Sequence, residues 1–213
     1  MTALKSGNVS LTESVNKALL GGKGRITSLV THSVEDSIPK KLRSRSPDEL
    51  LNLSGRDFDI DVIGHSLAYQ CRFGGHVPVF YSVADHSRLV ASLLPLGLKL
   101  WGLLHDAAEA FITDIPTPLK KELWVGDDWI DVSSLEVIET HILEKISEWA
   151  QLPWPIPPSV KEADVAAFQL EVIHFWGGQL SGKVTEHMTP SPNEGELRWI
   201  QEVKYLKGKK VWG

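Results

Sequence analysis

Apolar residues recur every three or four positions over most of residues 61–206, and strand-like alternation is nearly absent. Ile63, Leu67 and Cys71 mark a first helix, with Asp61 placed to cap it. It runs out at Arg72-Phe73-Gly74-Gly75-His76, where two glycines let the backbone turn and approach a ligand closely. Val77 to Tyr81 reads as short and extended, broken by Pro78. Ser82 opens a second helix, with Val83, Val90, Leu93 and Leu94 apolar, and Pro95-Leu96-Gly97 breaks it. A continuous central helix is expected from Lys99 to Thr113, stopped by Ile115-Pro116. A short amphipathic piece follows from Leu119, then a turn at Gly126-Asp127-Asp128. Ser133 or Ser134 caps a long helix to Ala150. Ser159 caps another that ends at Gly177-Gly178, and Asn193 caps a last one, from Glu194 to Leu206. The fold class is therefore all-α, a bundle of roughly six or seven helices.

Composition narrows the function classes. With 213 residues, 42% of them hydrophobic, the chain can bury one good core but not two large domains. A formal net charge of −5 argues against a binder of nucleic-acid polymers or anionic membranes. No apolar run approaches the roughly 20 residues of a membrane span. One cysteine, Cys71, excludes a disulfide framework and points to a reducing, cytoplasmic compartment. Residues 1–50 read as an N-terminal extension, punctuated by Gly21-Gly22-Lys23-Gly24-Arg25 and a basic run from Lys40 to Arg45. The glycine spacing there is not that of a phosphate loop. Tryptophans such as Trp101, Trp149, Trp154 and Trp176 read as core and interface residues rather than a base-stacking platform.

The chemistry gathers in residues 103–118, LLHDAAEAFITDIPTP. His105 and Asp106 stand side by side in an apolar run, where their desolvation is unfavourable unless something pairs with both. An isolated pair of this kind is ordinarily structural. A divalent cation would satisfy both, and this donor set suits manganese, cobalt, iron or zinc. Glu109, four residues beyond His105, projects from nearly the same face, and Asp114 follows a turn later. One helix face cannot surround an ion. His86, on the preceding helix, and Asp164, in an apolar setting further on, complete a set of two imidazoles and two carboxylates that leaves positions open for water and substrate.

The ordered set His86, His105-Asp106 and Asp164, with Tyr81-Ser82-Val83-Ala84-Asp85-His86-Ser87 and the Thr113-Asp114-Ile115-Pro116-Thr117-Pro118 run, resembles the HD-domain metal-dependent phosphohydrolase superfamily. Within it, the resemblance is to the 5′-deoxynucleotidase branch, which includes phage-type deoxynucleoside triphosphate triphosphohydrolases. It covers roughly residues 57–176 and implies an HD-domain bundle over 51–213. Thr113 stands where the motif has glycine. The resemblance implies that His86, His105, Asp106 and Asp164 hold a divalent ion (Mn, Co, Zn, Fe or Mg). It makes Glu109 and Asp114 the catalytic acids. It matches Arg72 to the residue that grips phosphate and Phe73 to an aromatic, tryptophan in the relatives, that packs on the sugar. Lys120 and Lys121 are placed to steer a polyphosphate. The implied substrate is a deoxynucleotide, cleaved at its 5′ ester, and the implied assembly a dimer or hexamer of the chain. Three other readings remain at this point: release of triphosphate from a deoxynucleoside triphosphate, a catalytically silent nucleotide sensor or scaffold, and a cyclic- or signalling-nucleotide phosphodiesterase, which would ordinarily bring a second metal and more histidines.

Overall fold

Two pairs of helices approach so closely that each contact needs a glycine, and these contacts set the frame for everything else. The computed structural model describes residues 47–120, 122–125 and 133–209. The helices are α1 (Pro47–Leu51), α2 (Ile60–Tyr69), α3 (Val83–Ser92), α4 (Lys99–Leu104), α5 (Glu109–Ile112), α6 (Thr117–Lys120), α7 (Leu135–Ala150), α8 (Pro158–Phe175), α9 (Gly182–His187) and α10 (Pro192–Lys209). Two strands of two residues each, β1 (Trp124–Val125) and β2 (Ser133–Ser134), pair antiparallel, and single 3-10 turns cover Arg72–Gly75 and Leu96–Leu98. The molecule is all-α. The expected extension up to Ser46, together with Lys121 and the turn at Gly126-Asp127-Asp128, lies outside the described residues.

The most extensively packed pairs are α2 with α10 and α3 with α4. A Cβ on Gly64 would lie 2.6 Å from Ile200 Cγ1, and one on Gly102 would lie 2.6 Å from the backbone Cα of Ala91. α8 lies across both α3 and α4. Ile63, Leu67, Val83, Leu89, Leu103, Leu104, Ile138, Ile142, Trp101 and Trp199 are fully buried in one shared core. Each large indole finds an acceptor, as buried tryptophan requires: Trp101 Nε1 donates to Pro153 O at 3.0 Å and Trp199 Nε1 to Leu103 O at 3.2 Å.

Several caps differ from expectation for local reasons. Asp59 rather than Asp61 caps α2, accepting from Asp61 N, and Cys71 falls beyond the helix in a bridge to Ser82. Ser82 and Asp85 form a reciprocal capping box on α3. Ser134 caps α7, accepting from Val137 N. α8 starts on Pro158, not behind a Ser159 cap, since proline suits the first helical turn and lacks an N–H to satisfy. α10 begins at Pro192, and Ser191 Oγ rather than Asn193 accepts from Glu194 N.

The central helix is not continuous. After Leu104 the backbone bonds shorten to three-residue spacing: Ala107 N to Leu104 O, Glu109 N to Asp106 O and Phe111 N to Ala108 O. Leu103 O is taken by the Trp199 indole and Gly102 O accepts from His105 Nδ1 at 2.8 Å. Side chains thus satisfy the carbonyls at the end of α4, and the chain tightens through the His-Asp doublet.

Candidate functional site

α3 contributes His86, the tightened turn after α4 contributes His105 and Asp106, and α8 contributes Asp164. The structure brings all four together. His86 Nε2 lies 3.2 Å from Asp164 Oδ1 and 3.6 Å from Asp106 Oδ2. His105 Nε2 lies 3.2 Å from Asp106 Oδ2 and 3.8 Å from Asp164 Oδ1. His86, His105 and Asp106 each present one ligand atom within 4.8 Å of the other two.

Both imidazoles are aimed by an acceptor behind them. His86 Nδ1 donates to the Glu171 carboxylate at 2.5 Å, and His105 Nδ1 donates to Gly102 O. Carboxylates and carbonyls only accept, so both Nδ1 atoms carry the proton and both Nε2 atoms turn inward toward the aspartates. Backing a ligand histidine with a carboxylate or carbonyl is the usual way to hold a metal-binding tautomer. His105 Nε2 is buried and lacks a properly aligned hydrogen bond. Burial disfavours a charged His105, yet Asp106 and Asp164 outweigh burial and push its pKa up to about 9. Burial would likewise raise both aspartates. His105, His86 and Arg72 hold Asp106 well below the usual carboxylate range, and His86, His105 and Lys161 do the same for Asp164. These four donors therefore call for positive charge between them, and two imidazole nitrogens with two carboxylates fit a divalent ion.

Around this centre lie the other expected residues. The Arg72 guanidinium sits 3.4 Å from Glu171 Oε2 and 3.8 Å from Asp106 Oδ2, and its Nε is buried without a partner. Glu109 is buried, with Oε2 unpartnered, and Lys120 Nζ lies 3.9 Å from Oε1. Burial, with Asp106 and Asp114 nearby, pushes the Glu109 carboxyl up to about 10. Burial also raises Asp114. Lys120 is itself buried, and its ammonium bonds Glu139 Oε1 at 2.8 Å rather than standing free in solvent. Phe73 packs against Phe168 and Phe175 of α8 and Trp176 at its end. Among the described residues four buried side-chain atoms have no partner, and three of them, Arg72 Nε, His105 Nε2 and Glu109 Oε2, belong to this cluster.

No family model matches the chain. It is 48% identical over 115 residues to Uncharacterized protein YfdR of Escherichia coli (strain K12), a match covering 54% of this chain and 60% of that protein. It is 32% identical over 138 residues to Uncharacterized protein RCAP_rcc00048 of Rhodobacter capsulatus, covering 61% of this chain and 68% of that protein. The chain belongs to the family of that Rhodobacter protein. It spans less than two thirds of the length of the E. coli relative. Neither relative's name states an activity.

Two residues that organise the site escape a reading of the sequence. Glu171 is fully buried and bonds His86, Tyr81 Oη at 2.8 Å and Arg72. Its signal was spacing: it lies seven residues, two turns, beyond Asp164 on the same face of α8. Gln70 donates to Glu109 O at 3.1 Å and accepts from Asp114 N at 2.8 Å and Thr113 Oγ1 at 3.1 Å. Thr113 adopts φ 69°, which is why the motif has glycine here, and Gln70 steadies the strained turn.

Proposed function

We propose that the chain is a metal-dependent phosphohydrolase of HD-domain type that cleaves the 5′ ester of deoxynucleoside monophosphates to give deoxynucleoside and phosphate. What supports this reading is the convergence of His86, His105, Asp106 and Asp164 beside the unpartnered Arg72 Nε and Glu109 Oε2. In this reading the two imidazoles and two aspartates hold one divalent ion. The chemistry it supplies is Lewis acidity, which makes hydroxide accessible near neutral pH. Arg72 offers its free Nε–H to a phosphate oxygen while Glu171 and Asp106 fix the guanidinium plane. Glu109, protonated in its buried setting, donates to the departing 5′ oxygen. Lys120, anchored on Glu139, tempers the charge that Glu109 then acquires. Asp114, held by Gln70, orients the water or the leaving group.

The charge pattern favours the monophosphate over the triphosphate. Arg72, Lys120 and Lys161 each lie within 4 Å of a carboxylate: Glu171 and Asp106, Glu139 and Glu109, and Asp164 respectively. No cation of this group is left over for a β- or γ-phosphate. A cytoplasmic setting belongs to the same reading, and its one cysteine, Cys71, is free and exposed. The test is incubation with each deoxy- and ribonucleotide mono- and triphosphate plus Mn or Co, followed by chromatography of products. Deoxynucleoside and phosphate from the monophosphates is the expected result. Triphosphate release would select the other hydrolase, and no nucleoside from any substrate would overturn the proposal.

A further inference from the structure

The face of α8 that carries Asp164 and Glu171 does not end with them. Residues 164, 168, 171 and 175 follow at intervals of four, three and four and share one stripe of the helix. Asp164 faces the two histidines, Glu171 aims His86, and Phe175 packs edge-on against Tyr81 with centroids 5.2 Å apart. Phe168, the remaining member, is 46% exposed. Its inner neighbour is Phe73, with centroids 6.1 Å apart, and Phe73 in turn meets Trp176 edge-on at 5.0 Å. Trp176 is half exposed, not a core residue. The Arg72 guanidinium lies 5.4 Å from the Phe73 ring centroid. A run of rings therefore starts beside the phosphate-binding candidate and opens to solvent at Phe168. Phe73 is held in place at φ 56°, ψ 28°, a left-handed backbone that an aromatic residue rarely takes and that Gly74, next in the chain, takes freely. Strain of this kind persists where the surrounding structure uses it.

We propose that Phe168, backed by Phe73, is a stacking platform for the flat ring of the leaving group, so that the enzyme selects esters whose alcohol carries a nucleobase over those of a bare sugar. This rests on the hydrolase reading above and adds the side chain that recognises the base of the departing nucleoside. Phe73 links the platform to Arg72, 5.4 Å from the guanidinium on one side and 6.1 Å from the Phe168 centroid on the other, and a π-face accepts any base without hydrogen-bond readout.

The test compares deoxyadenosine 5′-monophosphate with 2-deoxyribose 5-phosphate, which has the same ester and no base. Both are assayed on the full-length chain with Mn, as wild type, Phe168→Ala and Phe168→Trp. In Phe168→Ala, the ratio of kcat/KM for the nucleotide to that for the sugar phosphate falls about tenfold, mainly through KM, as loss of one base–aromatic stack implies. Phe168→Trp keeps the ratio. Equal losses on both substrates, an unchanged ratio in the alanine variant, or a changed oligomeric mass by light scattering would each overturn the platform, the last by making Phe168 a protein contact. Wild-type protein that hydrolyses neither ester overturns the hydrolase reading itself, and the platform falls with it.

Discussion

Glu171 makes no approach to the centre of the cluster, yet three of its neighbours depend on it. One carboxylate aims His86, accepts a hydrogen bond from the Tyr81 hydroxyl and holds one arm of Arg72. Burial alone would raise its pKa, but His86, Arg72 and Tyr81 keep it below the usual carboxylate range, so it is charged and accepts on both oxygens. Glu171→Gln keeps the volume and removes the charge. Metal affinity, measured by titration calorimetry with Mn or Co, should fall about 10- to 100-fold, the usual effect of losing such a partner; an unchanged Kd would mean that His86 is positioned by packing alone. Glu109 presents the opposite case. Burial, then Asp106 and Asp114, raise its carboxyl from 4.5 to about 10, so folding takes up a proton. Its stabilising contribution is complete below about 4.5 and is lost as pH climbs toward about 10. In chelator-treated protein, Glu109→Gln should match wild type near pH 4.5 and melt a few degrees higher at pH 8, at about 2–4 °C per kcal/mol for a chain of this size. Turnover should drop about 100-fold or more. A variant that melts lower at pH 8 would show that the buried carboxylate is better paired than this geometry indicates.

At the scale of elements, the 3.6-residue period placed α7 and α10, each with an apolar stripe against the core. α3 is buried nearly all round, and α8 carries apolar residues on every side, with Val165, Phe168, Val172 and Ile173 exposed, so their end signals rather than a stripe marked them. The period failed at the break between α4 and α5. There the apolar stripe runs on through His105 and Asp106, and nothing local announces the change to three-residue spacing. The cause is tertiary: the Trp199 indole, from 96 residues away, occupies Leu103 O. The four-donor set was legible because its residue types are improbable in apolar surroundings. Glu171 was not, since one acid among Leu170, Val172 and Ile173 reads as an exposed position until the facing helix is known. Gly102 was equally silent. It lets α4 press on the backbone of α3, and it lies three residues before His105, whose ring bonds its carbonyl. Gly102→Ala must push α3 and α4 apart, since the new Cβ meets backbone rather than a movable side chain. Overpacking of this kind destabilises by about 1–3 kcal/mol, seen as a Tm lower by several degrees. Because His86 and His105 ride on the two displaced helices, Mn affinity should weaken as well. A variant with lowered Tm and unchanged Mn affinity would show that the doublet is placed by its own turn and not by the helix contact.

For the whole molecule, the four donors tie together segments that are remote in sequence: α3, the turn after α4 and the first half of α8. Without a cation this is a locus of conflict, with two aspartates and two inward-facing imidazole nitrogens in one buried space and a glutamate pressed against them. Folding has to hold these groups together while offering them only protons, Arg72, Lys161 and Lys120 as counter-charge. A bound ion reverses that balance, and because it binds only when all three segments are assembled, its affinity becomes stability of the entire bundle. Mn or Co at 100 times its Kd should stabilise the fold by about 2.7 kcal/mol, which for about 200 residues is a rise of about 5–11 °C in Tm. Chelation should reverse it. Against the effect of burial, Asp106 and Asp164 keep His105 charged up to about pH 9, so a proton competes with the ion throughout this range. The increment should grow as pH rises from 5 to 8, and should vanish in His105→Ala while Gly102 and the core remain packed. Melting curves with and without metal, for wild type and His105→Ala from pH 5 to 8, measure this directly. A metal-induced shift that survives in His105→Ala would place the ion elsewhere and leave the imidazole–carboxylate cluster as a purely structural ion pair.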